Sequence, residues 1–329
     1  MSKIINSAQS YVDDALAGLC RAHPNLRLVG VEKRVIARSN GTAQGKVGIV
    51  SGGGSGHLPL FCGYVGTGFL DACAVGNVFE GPTSGSCADA IRAADHGQGV
   101  LCLFGNYGGD KMNFTLAAQM AEVDGIQTST VLGIDDVASA PPEGADKRRG
   151  VAGLILAYKC AGAAAEAGMG LEAVTRIAGK TVDRTRTIGF ATAPCILPGA
   201  GSPAFTLEPG QVAFGMGIHG EPGLWTRPMP AASELADEIL GRLVPELPSS
   251  DRLAVLVNGL GATPLEELFI LFDEVAKKLE ASGRNLEASF VGPYVTSMEM
   301  AGASVSVLAL DDELSNLIAT PADCPFWKV

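Results

Sequence analysis

Two glycine-framed histidines and one aspartate hold the chemical possibilities of this chain. Residues 51–57 read Ser-Gly-Gly-Gly-Ser-Gly-His and residues 215–223 read Gly-Met-Gly-Ile-His-Gly-Glu-Pro-Gly, so two of the four histidines, His57 and His219, stand in loops stripped of side chains. Glycine lets backbone N–H groups come close to a ligand. A neutral imidazole in such a loop can act as nucleophile, base or hydrogen-bond partner toward a small molecule. A third loop, residues 105–114, reads Gly-Asn-Tyr-Gly-Gly-Asp-Lys-Met-Asn-Phe and offers Asp110. Its carboxylate suits a base, and equally a helix cap.

Familiar signatures built on these residues fail on context. Gly215, Gly217 and Gly220 match the dinucleotide fingerprint, but a helix must start inside that motif and Pro222, Gly223, Pro228 and Pro230 follow. The first loop misses the nucleophile elbow because His57 takes the place of its last glycine. Gly179-Lys180-Thr181 ends like a phosphate-binding loop, yet Val174 stands where the earlier glycine belongs. His57, His219 and Asp110 are zinc-ligand types, but no ligand spacing joins them and no metal is expected.

The elements that position these residues follow from periodicity. A helical pattern occupies the first 20 residues, and apolar or β-branched runs at 26–31, 46–51, 70–75, 100–104 and 126–132 read as strands. Helical patterns at 87–94 and 114–123 lie between them, an alternation that predicts a mostly parallel sheet. The first glycine loop then leaves a strand at its carboxyl end, with Asp110 nearby if their strands are neighbours. Helices are expected at 151–167 and 171–182, where many small residues favour close packing. A proline- and glycine-rich stretch from 194 to 210 marks a change of domain, placed at 185/186. Beyond it come strands at 188–193, 211–217, 253–258, 288–291 and 305–310, and helices at 233–243 and 311–317. Another helix runs from Thr263 as N-cap, through Pro264 and Glu266, to Leu279.

Composition sets the class. The 329 residues are 47% hydrophobic and carry 24 basic against 35 acidic side chains, a net charge of -11 that disfavours nucleic acid and acidic membranes. The eight cysteines form no C-x-x-C pair and read as reduced, buried thiols. No apolar run reaches a membrane span and the N-terminus lacks a signal pattern, so a cytoplasmic protein is expected.

Taken together, the motifs resemble the dihydroxyacetone kinase family, specifically its substrate-binding K subunit. The matching segments are 51–57, 106–110 with 112–114, 150–153, 215–223, 256–261 and 296–302, in order through nearly the whole chain. The resemblance implies an α/β protein with a Rossmann-like, mostly parallel first domain (1–185) and a smaller α+β domain (186–329), in a homodimer. It implies that His219 adds to the carbonyl of a short ketose as a hemiaminal, that Asp110 deprotonates the terminal hydroxyl, and that His57 hydrogen-bonds the substrate. Backbone groups of Gly53, Gly54 and Ser55 help seat it. It also implies that this chain binds no nucleotide, which sits as Mg-ADP or Mg-ATP on a separate L-type subunit, since no fused L-type segment follows residue 329. Two positions depart from the family: Leu58 replaces a usual glutamate and Gly105 a common lysine. A larger, less charged pocket that admits a C4 ketose such as erythrulose is the expectation. The alternative is a ketose-sensing transcriptional co-regulator, a role some family members take.

Overall fold

A computed structural model describes residues 3–39, 45–200, 202–221 and 223–328. Gly201, Pro222 and Val329 of the stretches read above lie outside the described residues. Contacts group the chain into two units: Met1–Leu132, Ala157–Lys180 and Ala319–Val329 form one, and Gly133–Leu156 with Thr181–Ile318 the other.

In the first unit, helix α1 (Tyr11–Ala22) buries Val12, Leu16 and Leu19, an apolar stripe at helical spacing. Strands β1 (Leu26–Val29), β2 (Val35–Arg38), β3 (Gly48–Ser55), β4 (Ala72–Val78), β5 (Val100–Gly105) and β6 (Thr128–Gly133) form one sheet in the order β1-β2-β4-β3-β5-β6. Strand β3 is parallel to both β4 and β5, while β1 and β2 add an antiparallel edge. Strand β2 escapes the periodicity, being four residues long with three consecutive buried positions. Helices α2 (Ser84–Ala94) and α3 (Gly108–Val123) contribute Ala88, Ile91, Phe114 and Ala117 to a core shared with Val50, Ala74, Cys102 and Phe104. Thr83 caps α2 by accepting the Ser86 N–H at 3.1 Å.

The small residues of α4 (Leu154–Glu166) have a visible purpose. A Cβ on Gly162 would collide with the Gly68 carbonyl, so the helix passes directly over backbone. Gly162→Ala is expected to destabilise the protein by about 1–3 kcal/mol, as overpacking does. A lowered denaturant midpoint at unchanged slope checks it.

Helix α5 (Leu171–Asp183) leads to the second unit's sheet of β7 (Thr185–Ala193), β8 (Gln211–Phe214), β9 (Trp225–Pro228), β10 (Arg252–Gly259), β11 (Asn285–Gly292) and β12 (Ala301–Ala309). Its order is β11-β10-β12-β7-β8-β9; β10 and β11 pair in parallel and the other four neighbouring pairs of the sheet are antiparallel, the mark of an α+β unit. Helices α6 (Ala232–Leu243) and α7 (Leu265–Ala281) cover it through Leu235, Ile239, Leu268 and Val275. The start of α7 differs from the expected capping box. The Thr263 hydroxyl is engaged by the Gly302 backbone, donating to its carbonyl at 2.6 Å and accepting its N–H at 2.8 Å, and Pro264 stands at the N-cap. Thr263 is thereby spent on pairing loop to strand instead of capping, joining the Leu260 N–H, which donates to the same Gly302 carbonyl at 3.1 Å. Helix α8 (Asp312–Ala319) and the short pair β13 (Asp323–Cys324) and β14 (Trp327–Lys328) end the described chain.

No helix among the described residues is long and apolar enough to cross a membrane. All eight cysteines are thiols outside any disulfide, and seven are buried. Burial pushes the Cys62 and Cys102 thiols up to about 12, which removes them as nucleophiles.

Candidate functional site

The glycine run is strand where the sequence suggests a turn. Strand β3 continues through Gly52, Gly53 and Gly54 to Ser55 because β4 keeps pairing with it, Gly52 opposite Ala74 and Ser55 opposite Val78, with a register shift between. Most of the space freed by the glycines is filled by protein. A Cβ on Gly53 would enter the Phe61 ring, and one on Gly54 would stand 2.8 Å from Glu80 N and 2.9 Å from Phe79 Cα. The strand therefore delivers His57 at its carboxyl end with a packed wall behind it. That is the edge where α/β sheets bind ligands.

His57 is fully buried. Its ring stacks on Phe79 at 5.0 Å between centroids and 12° between planes, and meets the edge of Phe61 at 6.1 Å. Phe79 itself sits at φ +61°, an unusual conformation for an aromatic residue, with its N–H donated to the Ser55 carbonyl at 3.0 Å. Backbone strain of this kind gathers at functional sites. Nothing in the sequence signals Phe79, because a positive φ at a non-glycine leaves no compositional trace.

Asp110 arrives by a parallel route. Strand β5 lies directly beside β3, with Gly48, Ile49 and Val50 opposite Val100, Leu101 and Cys102, so the two strands end on the same edge. Asp110 falls in the first turn of α3, where the helix dipole stabilises negative charge. The N-cap of that helix is Tyr107, three residues before Asp110. Asp110 is 6% exposed as a residue and its carboxylate lies against Gly81, where a Cβ would strike Oδ1. Asn113 anchors the same turn by donating to the Pro82 carbonyl at 2.9 Å. Lys111 is exposed while Asp110 is buried, as adjacent helix positions on different faces must be. Leu58 is 41% exposed, and Gly105 is the buried last residue of β5.

The His219 loop belongs to the second unit and has its own charged frame. Glu221 Oε2 accepts the His219 backbone N–H at 3.0 Å, and Glu221 Oε1 lies 3.5 Å from His219 Nδ1 and 3.6 Å from the Arg149 guanidinium. Arg149 donates to buried Asp136 at 3.0 and 2.8 Å and to the Gly215 carbonyl at 3.0 Å. Burial works to raise the Glu221 carboxyl, but the bond and charge of His219, with Arg149, hold it down to about 2. Burial prevails at Asp136 and pushes it up to about 6 despite Arg149. Glu221 was readable in the motif two residues after His219. Asp136 and Arg149 lie too far away in sequence to be found without the fold. Gly215, at φ +74°, opens the loop by a turn that favours glycine, and no helix follows it. Among the described residues no group of three or more His, Cys, Asp or Glu side chains is placed to hold a metal ion.

Comparison with known proteins is consistent across sequence and structure. The Dak1 domain family matches residues 17–326. The chain is 44% identical to D-erythrulose kinase of Mycolicibacterium smegmatis over 100% of its own length and 57% of that protein's, so it spans little more than half of this relative. It is 42% identical to the dihydroxyacetone-binding subunit DhaK of PTS-dependent dihydroxyacetone kinase 1 of Listeria innocua, over 99% of this chain and 100% of that one. Among solved structures, the dihydroxyacetone kinase of C. freundii superposes with a TM-score of 0.91 at 32% identity, covering 99% of this chain and 60% of that one. The operon co-activator Dha-DhaQ superposes with a TM-score of 0.90 at 31% identity, covering 96% and 98%.

Proposed function

We propose that this chain, which belongs to the Dak1 family, binds a short hydroxyketone through His219 and presents its terminal hydroxyl for phosphorylation. The observation that carries the reading is the delivery of buried Asp110 and buried His57 to one edge by the neighbouring parallel strands β5 and β3. Such an edge is a ligand-binding edge, and its two groups are of the types that move protons. Relatives named for erythrulose and dihydroxyacetone support a ketose as the substrate.

In this reading, a neutral His219 ring nitrogen forms a bond to the ketone carbon, and the carbonyl π pair moves to oxygen, which takes a proton. Only a carbonyl compound can be held in this way. Asp110 then accepts the proton of the terminal hydroxyl as its oxygen attacks the phosphoryl group, while His57, braced by Phe79, hydrogen-bonds the ketose. Backbone groups of Gly53, Gly54 and Ser55 border its place. The phosphoryl group comes from an L-type partner, whose magnesium-bound nucleotide supplies the charge neutralisation that transfer needs. We assign the active form to a cytoplasmic homodimer.

The test is a panel of C3 and C4 ketoses with an L-type partner and a phosphoryl donor, read as phosphorylated product. Product from at least one ketose is expected, and none from any would end the kinase reading. Ketose binding without product, under conditions where a relative of known activity turns over, would favour the ketose-sensing role suggested by the likeness to the co-activator. The same panel measures specificity. Gly105→Lys restores a charged donor at the end of β5 and is expected to move kcat/KM from C4 toward C3 ketoses by about tenfold, the scale of small-group discrimination.

A further inference from the structure

We infer that Glu221 is a positioning residue for His219: its carboxylate keeps the ring proton on Nδ1, leaves the lone pair on Nε2, and stabilises the positive charge the ring gains on adding to a carbonyl. The inference rests on the reading of His219 as the ketose anchor and goes beyond it, to which nitrogen reacts and what makes it reactive.

Three observations place the carboxylate for this task. Glu221 Oε2 is tied to the backbone N–H of His219 itself at 3.0 Å, so carboxylate and ring are held by one residue's two ends. Glu221 Oε1 then faces Nδ1 at 3.5 Å, a separation of the kind that shortens once the ring becomes cationic. Arg149 lies 3.6 Å from the same oxygen, and is fixed in turn by Asp136 and the Gly215 carbonyl. The loop also makes room for this pair. A Cβ on Gly217 would strike Glu221 Oε2 and stand 2.6 Å from Arg149, which gives the second glycine of the false dinucleotide motif a purpose.

The charge balance sets the test. When Nε2 bonds to the ketone carbon, the π pair goes to oxygen, oxygen takes a proton from solvent, and the ring keeps its Nδ1 proton with one positive charge. With Glu221 beside it, the ring stays cationic, so binding near pH 8 takes up about one proton per ketose by linkage. Calorimetry in two buffers of different ionisation enthalpy counts that proton.

In Glu221→Gln we expect uptake to fall toward zero and ketose affinity to drop by roughly 10- to 100-fold, the range for loss of a hydrogen bond to a charged group. Glu221→Asp keeps the charge and is expected to retain proton uptake with a smaller loss of affinity. Gly217→Ala, which displaces the same carboxylate, should resemble Glu221→Gln, and thermal melts of each variant separate misfolding from loss of function. A parent that takes up no proton, or a folded Glu221→Gln that matches it in uptake and affinity, overturns the inference. The underlying reading fails separately: ketose labelled with carbon-13 at its carbonyl would then show no tetrahedral carbon signal on the parent protein.

Discussion

Asp110→Asn is expected to leave ketose binding nearly intact and to lower turnover by about 10²- to 10⁴-fold, the contribution of a placed general base. The substitution is close to isosteric, so the contact with Gly81 survives and the first turn of α3 keeps its geometry. What disappears is the capacity to accept a proton. A purely structural Asp110 would behave differently, because a lost helix-end charge costs about 0.3–1 kcal/mol of stability and nothing specific in kcat. The two roles separate in the kinetics: a group used only in the transition state lowers kcat and kcat/KM together, while ketose affinity measured without the phosphoryl donor stays constant. Unchanged turnover in a folded Asp110→Asn protein would remove it as the base. Gly81 leaves room for this carboxylate, since a Cβ there would strike Oδ1.

How far these sites were readable in the sequence depended on the range of the forces that build them. The start of strand β3 and helix α3 follow from period, while the glycine run read as a turn; the adjacency of the His57 and Asp110 loops hung on whether their strands are neighbours, and the register of β3 on β5 shows that they are. The glycines were legible as a special place but not for their reason, since the Phe61 ring and the 79–80 backbone that fill the space return from farther along the chain. Strand β9 was hidden because Pro228 ends it and prolines surround it, yet at the sheet's edge a missing donor is tolerated. Thr263 looked like a helix cap on local grounds alone, and its long-range partner Gly302 decided otherwise. The same division runs through the charged frame of the second loop. Glu221 is local to His219, whereas Arg149 and Asp136 come from an earlier segment whose place only the fold reveals.

His219→Ala is expected to weaken ketose binding by about a hundredfold or more, equivalent to about 2.7 kcal/mol. More telling is the change in selectivity. A pocket that recognised its ligand by shape and hydrogen bonds would separate a ketose from the matching polyol only modestly, because adding one hydrogen to the carbonyl carbon and one to its oxygen hardly alters size. A nitrogen that bonds to the carbonyl carbon excludes the polyol outright, since the polyol has no electrophile to attack. The parent should therefore bind dihydroxyacetone or erythrulose and show no measurable affinity for glycerol or erythritol, while His219→Ala should bind ketose and polyol with similarly weak constants. If His219→Ala keeps the parent's preference for ketoses over polyols, carbonyl chemistry at this loop is excluded, and the neighbouring Glu221–Arg149–Asp136 frame must serve the fold of the loop alone.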